Sequence, residues 1–178
     1  MIPITKENFN LLNKFKSNDL TTRESMRYPH VKDNILQATD DRRLVQIKNS
    51  YKDLKNGYYE VFKKSNSEFY LIPADHVDVS FPDFTKVIPE KTKGQIKFTY
   101  TKEPRNKHSQ VIHFDTQVIR ELSKRTDNII FQGIQDQYLK DIPDKTYTVE
   151  IYTNSKNELK TYYFYTDDLD IVIAAMSL

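Results

Sequence analysis

Side chains able to ligate a metal or move a proton gather at two places in the sequence. His108, His113 and Asp115 lie close together, a combination that a divalent metal or a His–carboxylate pair requires. Their surroundings give each a structural explanation instead. His113 alternates with Ile112 and Phe114 along a strand-like run, Asp115 stands where a helix N-cap is needed, and His108 lies in the polar run TKEPRNKHS, 101–109. The second place is Asp167 and Asp168, which have no Ser or His at a recognisable spacing, so neither a nucleophile nor an acid–base pair is built there. The absence of Cys excludes a thiol nucleophile, a thiolate metal site and disulfides. The 3 Gly form neither GxGxxG nor GxxxxGK[ST], which excludes a glycine-rich phosphate cradle. The expectation is a protein with no catalytic residues, no metal and no cofactor; an enzyme built on the His113 region is the last-ranked reading.

The elements that position these residues follow from periodicity. Lys6 to Lys16 read as a short amphipathic helix with Thr5 as N-cap and Phe9, Leu12 and Phe15 on one face. Residues 17–30 are polar, with a loop around Ser17-Asn18-Asp19. Strands are expected at Ile35–Ala38, Leu44–Lys48, Tyr58–Lys63 and Glu68–Ile72, with turn signals at Asn56-Gly57 and Ser65-Asn66-Ser67. Residues 73–109 hold four of the 7 Pro and one strand-like run, Ile96–Tyr100. A strand at Val111–Phe114 then leads into a helix at Thr116–Arg125, capped by Asp115, with Val118, Ile119 and Leu122 on its apolar side. Strands follow at Ile129–Gln132, Tyr147–Thr153, Lys160–Tyr165 and Ile171–Met176, with turns at 154–157 and 166–168. The aromatic runs Tyr58-Tyr59-Phe62 and Tyr162–Tyr165 suit alternating core and surface positions of strands better than base-stacking platforms.

The two helical segments overlay, pairing Phe9 with Ile119, Leu12 with Leu122 and Lys14 with Lys124. The chain is therefore expected to be α+β, with antiparallel sheets, two helices on one face and two βαβββ halves. Those halves, 1–72 and 110–178, flank an insertion at 73–109 within one domain spanning 1–178. The hydrophobic share is only 38%, but 10 Phe and 12 Tyr supply a core. A net charge of +2 means that affinity for nucleic acid must come from the placement of cations and not from their excess. The N-terminus carries no signal-peptide pattern, and the longest apolar run, Ile171–Met176, is too short to cross a bilayer. A cytoplasmic protein without a membrane partner is the expectation. That same run is a candidate for a bare apolar sheet edge that pairs between copies.

Three segments resemble pieces of the bacterial DNA polymerase III beta subunit, the sliding clamp. ATDDRRLV, 38–45, is similar to that family's ATDGHRLA: Thr39, Asp40, Arg43 and Leu44 match, Asp41 replaces Gly, and Arg42 replaces His. FPDFTKVIP, 81–89, resembles FPDYRRVIP, and the tail DIVIAAMSL resembles YVVMPMRL through Val172, Met176 and Leu178. Arg27-Tyr28 is similar to the start of the family's RYYLNG strand. The resemblance implies a reduced, single-domain clamp of phage or mobile-element origin that binds duplex DNA without catalysis as a processivity factor in DNA replication. It implies phosphate contacts from Lys6, Lys14 and Lys16 on the first helix and from Arg120, Lys124 and Arg125 on the second. It implies a pocket for a DNA polymerase or clamp-loader peptide, lined by Thr39, Asp41, Arg42, Arg43 and Leu44 with Val172, Ala174 and Met176. A homo-oligomeric ring follows from the same resemblance. The alternative is a protein-interaction module or inhibitor that keeps the fold but never encircles DNA.

Overall fold

Thr5 ends the first strand and starts the first helix. In the computed structural model, which describes residues 1–48, 51, 54–82, 96–101, 140–153 and 159–174, Ile2–Ile4 forms strand β1 and Lys6–Phe15 forms helix α1. The Thr5 hydroxyl accepts from the Asn8 N–H at 3.1 Å, satisfying one donor that a helix start leaves without an internal partner. The helix stops at Lys16, whose backbone is extended and whose N–H reaches the Leu12 carbonyl at 2.9 Å. The expected apolar face is present and gains Leu11: Leu11, Leu12 and Phe15 are buried, and the Phe9 ring lies 4.7 Å from Phe69. Burying a side chain such as Leu12 or Phe15 contributes roughly 1.5–3 kcal/mol.

The chain divides into two compact units: Met1–Phe84 with Asp167–Ile171, and Thr85–Thr166 with Val172–Leu178. In the first, α1 is followed by a single 3₁₀ turn at Glu24–Met26 and by strands β2 (His30–Lys32), β3 (Ile35–Thr39), β4 (Arg43–Ile47), β5 (Gly57–Lys63) and β6 (Phe69–Pro73). Their order across the sheet is β1-β6-β5-β2-β3-β4, with antiparallel neighbours. Helix α1 packs on β3, β4, β5 and β6. On the far side of β4 from β3, the Lys48 N–H donates to the Asp168 carbonyl at 2.9 Å, and the Lys48 ammonium pairs with the buried Asp170 carboxylate at 2.6 Å.

Two turns differ from the sequence reading. Asp33 and Asn34 link β2 to β3 with φ of 51° and 63°, the left-handed geometry that a two-residue hairpin needs to match strand twist. Asn56-Gly57 does not turn a hairpin. It ends the link from β4 to β5, which are not sheet neighbours, and the Asn56 side chain accepts from the Asp33 N–H at 3.0 Å. Gly57 carries φ of 142°, a conformation that a Cβ disfavours. Ser65–Ser67 does join β5 to β6, with Lys63 opposite Phe69.

The second unit holds β7 (Ile96–Thr101), β8 (Thr146–Thr153), β9 (Leu159–Tyr165) and the end of β10 (Leu169–Ala174), in the order β10-β9-β8-β7. Alternation sends Tyr147, Val149 and Ile151 of β8 and Tyr162 and Phe164 of β9 into the core. The Phe164 ring meets Tyr100 and Tyr147 edge-on at 6.2 and 6.1 Å. Residues 169–173 are buried, so the described part of the last strand is not a bare apolar edge.

The architecture is mostly antiparallel sheet, ten strands, with one helix among the described residues. Residues 17–30, read as polar with a loop around Ser17-Asn18-Asp19, also hold the 3₁₀ turn and the start of β2. In the first unit five strands follow the helix, where the sequence pattern suggested fewer, because β2 is three residues long and carries no alternation of its own. The expected strands at 111–114 and 129–132, the helix at 116–125, the turn at 154–157 and the trio His108, His113, Asp115 lie outside the described residues. Among the described residues, no helix is long and apolar enough to cross a membrane.

Candidate functional site

The segment Thr39–Leu44 is a four-residue link between cross-strand partners Thr39 and Leu44. Asp40 organises it. One carboxylate oxygen accepts from the Arg42 and Arg43 N–H groups at 3.1 and 2.8 Å, and the other accepts from Arg43 Nε at 2.8 Å. The Thr39 hydroxyl donates to the Arg43 carbonyl at 2.7 Å and accepts from the Asp41 N–H at 3.2 Å. This is local side-chain capping of a tight turn, and it forces Asp41 to φ of 80°.

Arg43 and Leu44 are neighbours in sequence but belong to opposite faces of β4, because strand side chains alternate. Arg43 points to α1: its Nη2 donates to the Lys14 carbonyl at 2.7 Å, its guanidinium carbon lies 4.9 Å from the Phe15 ring centroid, and Nη2 stands 2.8 Å from Asp40. Leu44 and Thr39 share the other face, and both are buried. Of the residues assigned to a peptide pocket, the structure thus leaves Asp41 and Arg42 exposed at the turn tip, while Thr39, Arg43 and Leu44 are buried. Val172 is buried and Ala174 is exposed; Met176 lies outside the described residues.

The cations assigned to DNA divide similarly. Lys6 and Lys14 are exposed at opposite ends of α1, and Lys16 is half-buried with its ammonium 3.2 Å from Asn18 Oδ1. Burial lowers the Lys16 pKa, and the nearby Glu60 charge acts in the opposite direction. Arg120, Lys124 and Arg125 lie outside the described residues.

The sequence reading did not find the polar rung on the Leu44 face. Gln46, Gln37, His30 and Tyr58 are successive cross-strand partners over β4, β3, β2 and β5. Gln46 Nε2 donates to Gln37 Oε1 at 3.0 Å, which leaves the Gln37 amide N–H to meet His30 Nδ1 at 3.3 Å. The His30 ring stacks on Phe81 at 4.5 Å and 10°, and Tyr58 donates to the Val79 carbonyl at 2.8 Å. Burial, then the Lys32 charge, lowers the His30 pKa, and burial pushes the Tyr58 phenol up to about 12. Phe81 of the FPDF segment therefore packs against this rung; Asp83 and the residues after it lie outside the described residues. Among the described residues, no group of three or more His, Asp or Glu is placed to hold a metal. Lys6 and Lys14 on α1 and Asp41 and Arg42 at the capped turn are exposed.

No family model and no curated protein matches the sequence. Solved structures do match in fold. The DNA polymerase III beta chain of Streptococcus pneumoniae superposes at a TM-score of 0.52 and 14% identity, over 100% of this chain and 65% of that one. The Helicobacter pylori beta clamp bound to DNA ligase peptide gives 0.53 at 10% identity over 99% and 65%, and the Bacillus subtilis sliding clamp 0.54 at 13% over 99% and 64%. The fold is that of the bacterial sliding clamp. The chain spans just under two thirds of those clamp chains. Asp41 occupies a backbone conformation that favours glycine.

Proposed function

We propose that this chain is a non-enzymatic, clamp-like processivity or accessory factor in DNA replication. It binds duplex DNA without sequence preference through phosphate contacts from Lys6, Lys14 and Lys16, joined by Arg120, Lys124 and Arg125 of the second helical segment. It takes a short peptide of a polymerase or clamp loader at the Thr39–Leu44 turn, whose tip residues Asp41 and Arg42 are exposed. It acts as a homo-oligomer of single domains in the cytoplasm. The observation that carries the reading is the clamp fold matched over the whole chain, combined with Lys6 and Lys14 exposed on its helix. The Helicobacter clamp, bound to DNA ligase peptide, supports the partner class. The test is binding to duplex DNA at low salt: affinity independent of sequence and falling steeply with salt is expected, and no detectable binding would sink the reading.

A second reading, an interaction module that keeps the clamp fold without encircling DNA, is favoured by the net charge of only +2. It is distinguished by a monomeric mass with and without DNA, together with retained binding to a replication protein.

A further inference from the structure

Arg43 joins two groups of residues that the proposed function gives to different partners. Its guanidinium takes the Asp40 carboxylate with Nε and Nη2, both at 2.8 Å, and reaches the Lys14 carbonyl with Nη2 at 2.7 Å. The guanidinium carbon lies over the Phe15 ring, 4.9 Å from its centroid, and the side chain is 8% exposed. The Lys14 carbonyl belongs to the last turn of α1, where helix carbonyls lack internal partners. No glycine closes that end: the cap residue is Lys16, in extended backbone. A cation there also opposes the negative end of the helix dipole. Asp40 is itself held by two N–H groups of the turn, so the Arg43 side chain links the end of α1 to the β3–β4 turn. Lysine cannot reproduce the link, since a single ammonium lacks the planar fork that serves a carboxylate and a carbonyl while lying on a ring.

We infer that Arg43 is a positioning residue for the Lys14 and Lys16 cations, setting the direction of the helix end that meets DNA phosphates, and not a rim contact for a peptide. The inference rests on the DNA-binding role proposed for α1. In the full chain, Arg43→Lys is expected to speed hydrogen exchange at the Lys16 N–H about ten-fold or more, the order expected when a charge-assisted hydrogen bond is lost. The Phe9 N–H, bonded to the Thr5 carbonyl at the other end of the helix, should be unaffected. Binding to a mixed-sequence linear duplex should weaken, with the salt slope reduced by about 1–2. That loss should vanish in a Lys14→Gln/Lys16→Gln background and persist in a Lys6→Gln background. Asp40→Asn, which leaves Arg43 in place but removes its counter-charge, should give the same exchange pattern at smaller size if Arg43→Lys does not fold. Unchanged exchange in a protein that binds duplex DNA overturns the inference alone. So does an Arg43→Lys loss that adds to Lys14→Gln/Lys16→Gln, because Arg43 then touches phosphate directly. A parent chain that binds no duplex overturns the clamp reading and, with it, the purpose assigned to Arg43.

Discussion

At Asp41 a single dihedral decides what the turn tolerates. A φ of 80° costs an ordinary L-residue roughly 1–2 kcal/mol, least for Asp and Asn and most for β-branched residues. Asp41→Val is therefore expected to lower stability by about 1–2 kcal/mol in denaturant unfolding, whereas Asp41→Gly should not lower it. Equal stability of the two variants would show that the turn relaxes out of that conformation. Leu44 sets a related limit: it is 2% exposed, so Leu44→Ala should cost about 2–5 kcal/mol of fold stability. Arg42→Ala, at the exposed tip, is the variant that probes partner binding without touching the core. His30 adds a pH dependence. Its pKa is lowered from 6.5 by burial and by Lys32, so the unfolded chain binds the proton more readily. Its contribution is complete above 6.5 and is lost as pH falls through that value toward the folded pKa. Melting temperature should drop over that interval, and His30→Phe should remove the step while keeping the ring stack; an unaltered profile in the variant would contradict the assignment.

At the scale of elements, the β7-β8-β9 row carries a second titration. Glu150 is 5% exposed and accepts from Tyr152 at 2.5 Å and Tyr165 at 2.9 Å, with the Lys97 ammonium at 3.3 Å. Burial pushes its pKa up, but the Tyr152, Tyr165 and Lys97 contacts together outweigh that, and the net shift is downward from 4.5. The stability it supplies is present above 4.5 and lost as pH falls toward the folded value. Glu150→Gln should lower stability at neutral pH and flatten the acid limb of the melting curve, and an identical acid limb would refute the assignment. The elements legible in the sequence were those whose signal is local. Helix α1 declared itself through the Thr5 cap and the Phe9, Leu12, Phe15 spacing, and the longer strands through β-branched and aromatic runs. Strand β1 is short and contains Pro3, and β2 has three residues; both exist because neighbours pair with them, which no local pattern records. The same holds for the site. Lys6 and Lys14 were legible as exposed cations on a helix, but Arg43 sits in a run of four charged residues, Asp40–Arg43, whose composition suits a solvated turn. Its burial comes from Lys14 and Phe15, distant in sequence. The Gln46–Gln37–His30 rung was hidden for the same reason, since each residue alone reads as an ordinary polar strand position.

For the whole molecule, the proposed clamp function makes a claim about topology that affinity alone does not test. A ring assembled from head-to-tail copies must close by rotation, which gives a discrete multimer of the 21.1 kDa chain and not a ladder of sizes. A closed ring holds DNA by enclosing it, while its lysines contribute phosphate contacts that weaken as salt rises. The two contributions separate on circular and linear duplexes of the same sequence. Once loaded, the protein should remain on a circle when salt is raised above the level that abolishes equilibrium binding, and cutting the circle should release it. Charge reversal at Lys14 together with Lys124 should weaken low-salt binding on both substrates and flatten its salt dependence, yet leave retention on the circle largely intact. Light scattering should show the discrete multimer in the retained fraction. If the protein leaves circles and linear duplexes at the same rate in high salt, it holds DNA by its surface alone, and the interaction-module reading takes the place of the ring.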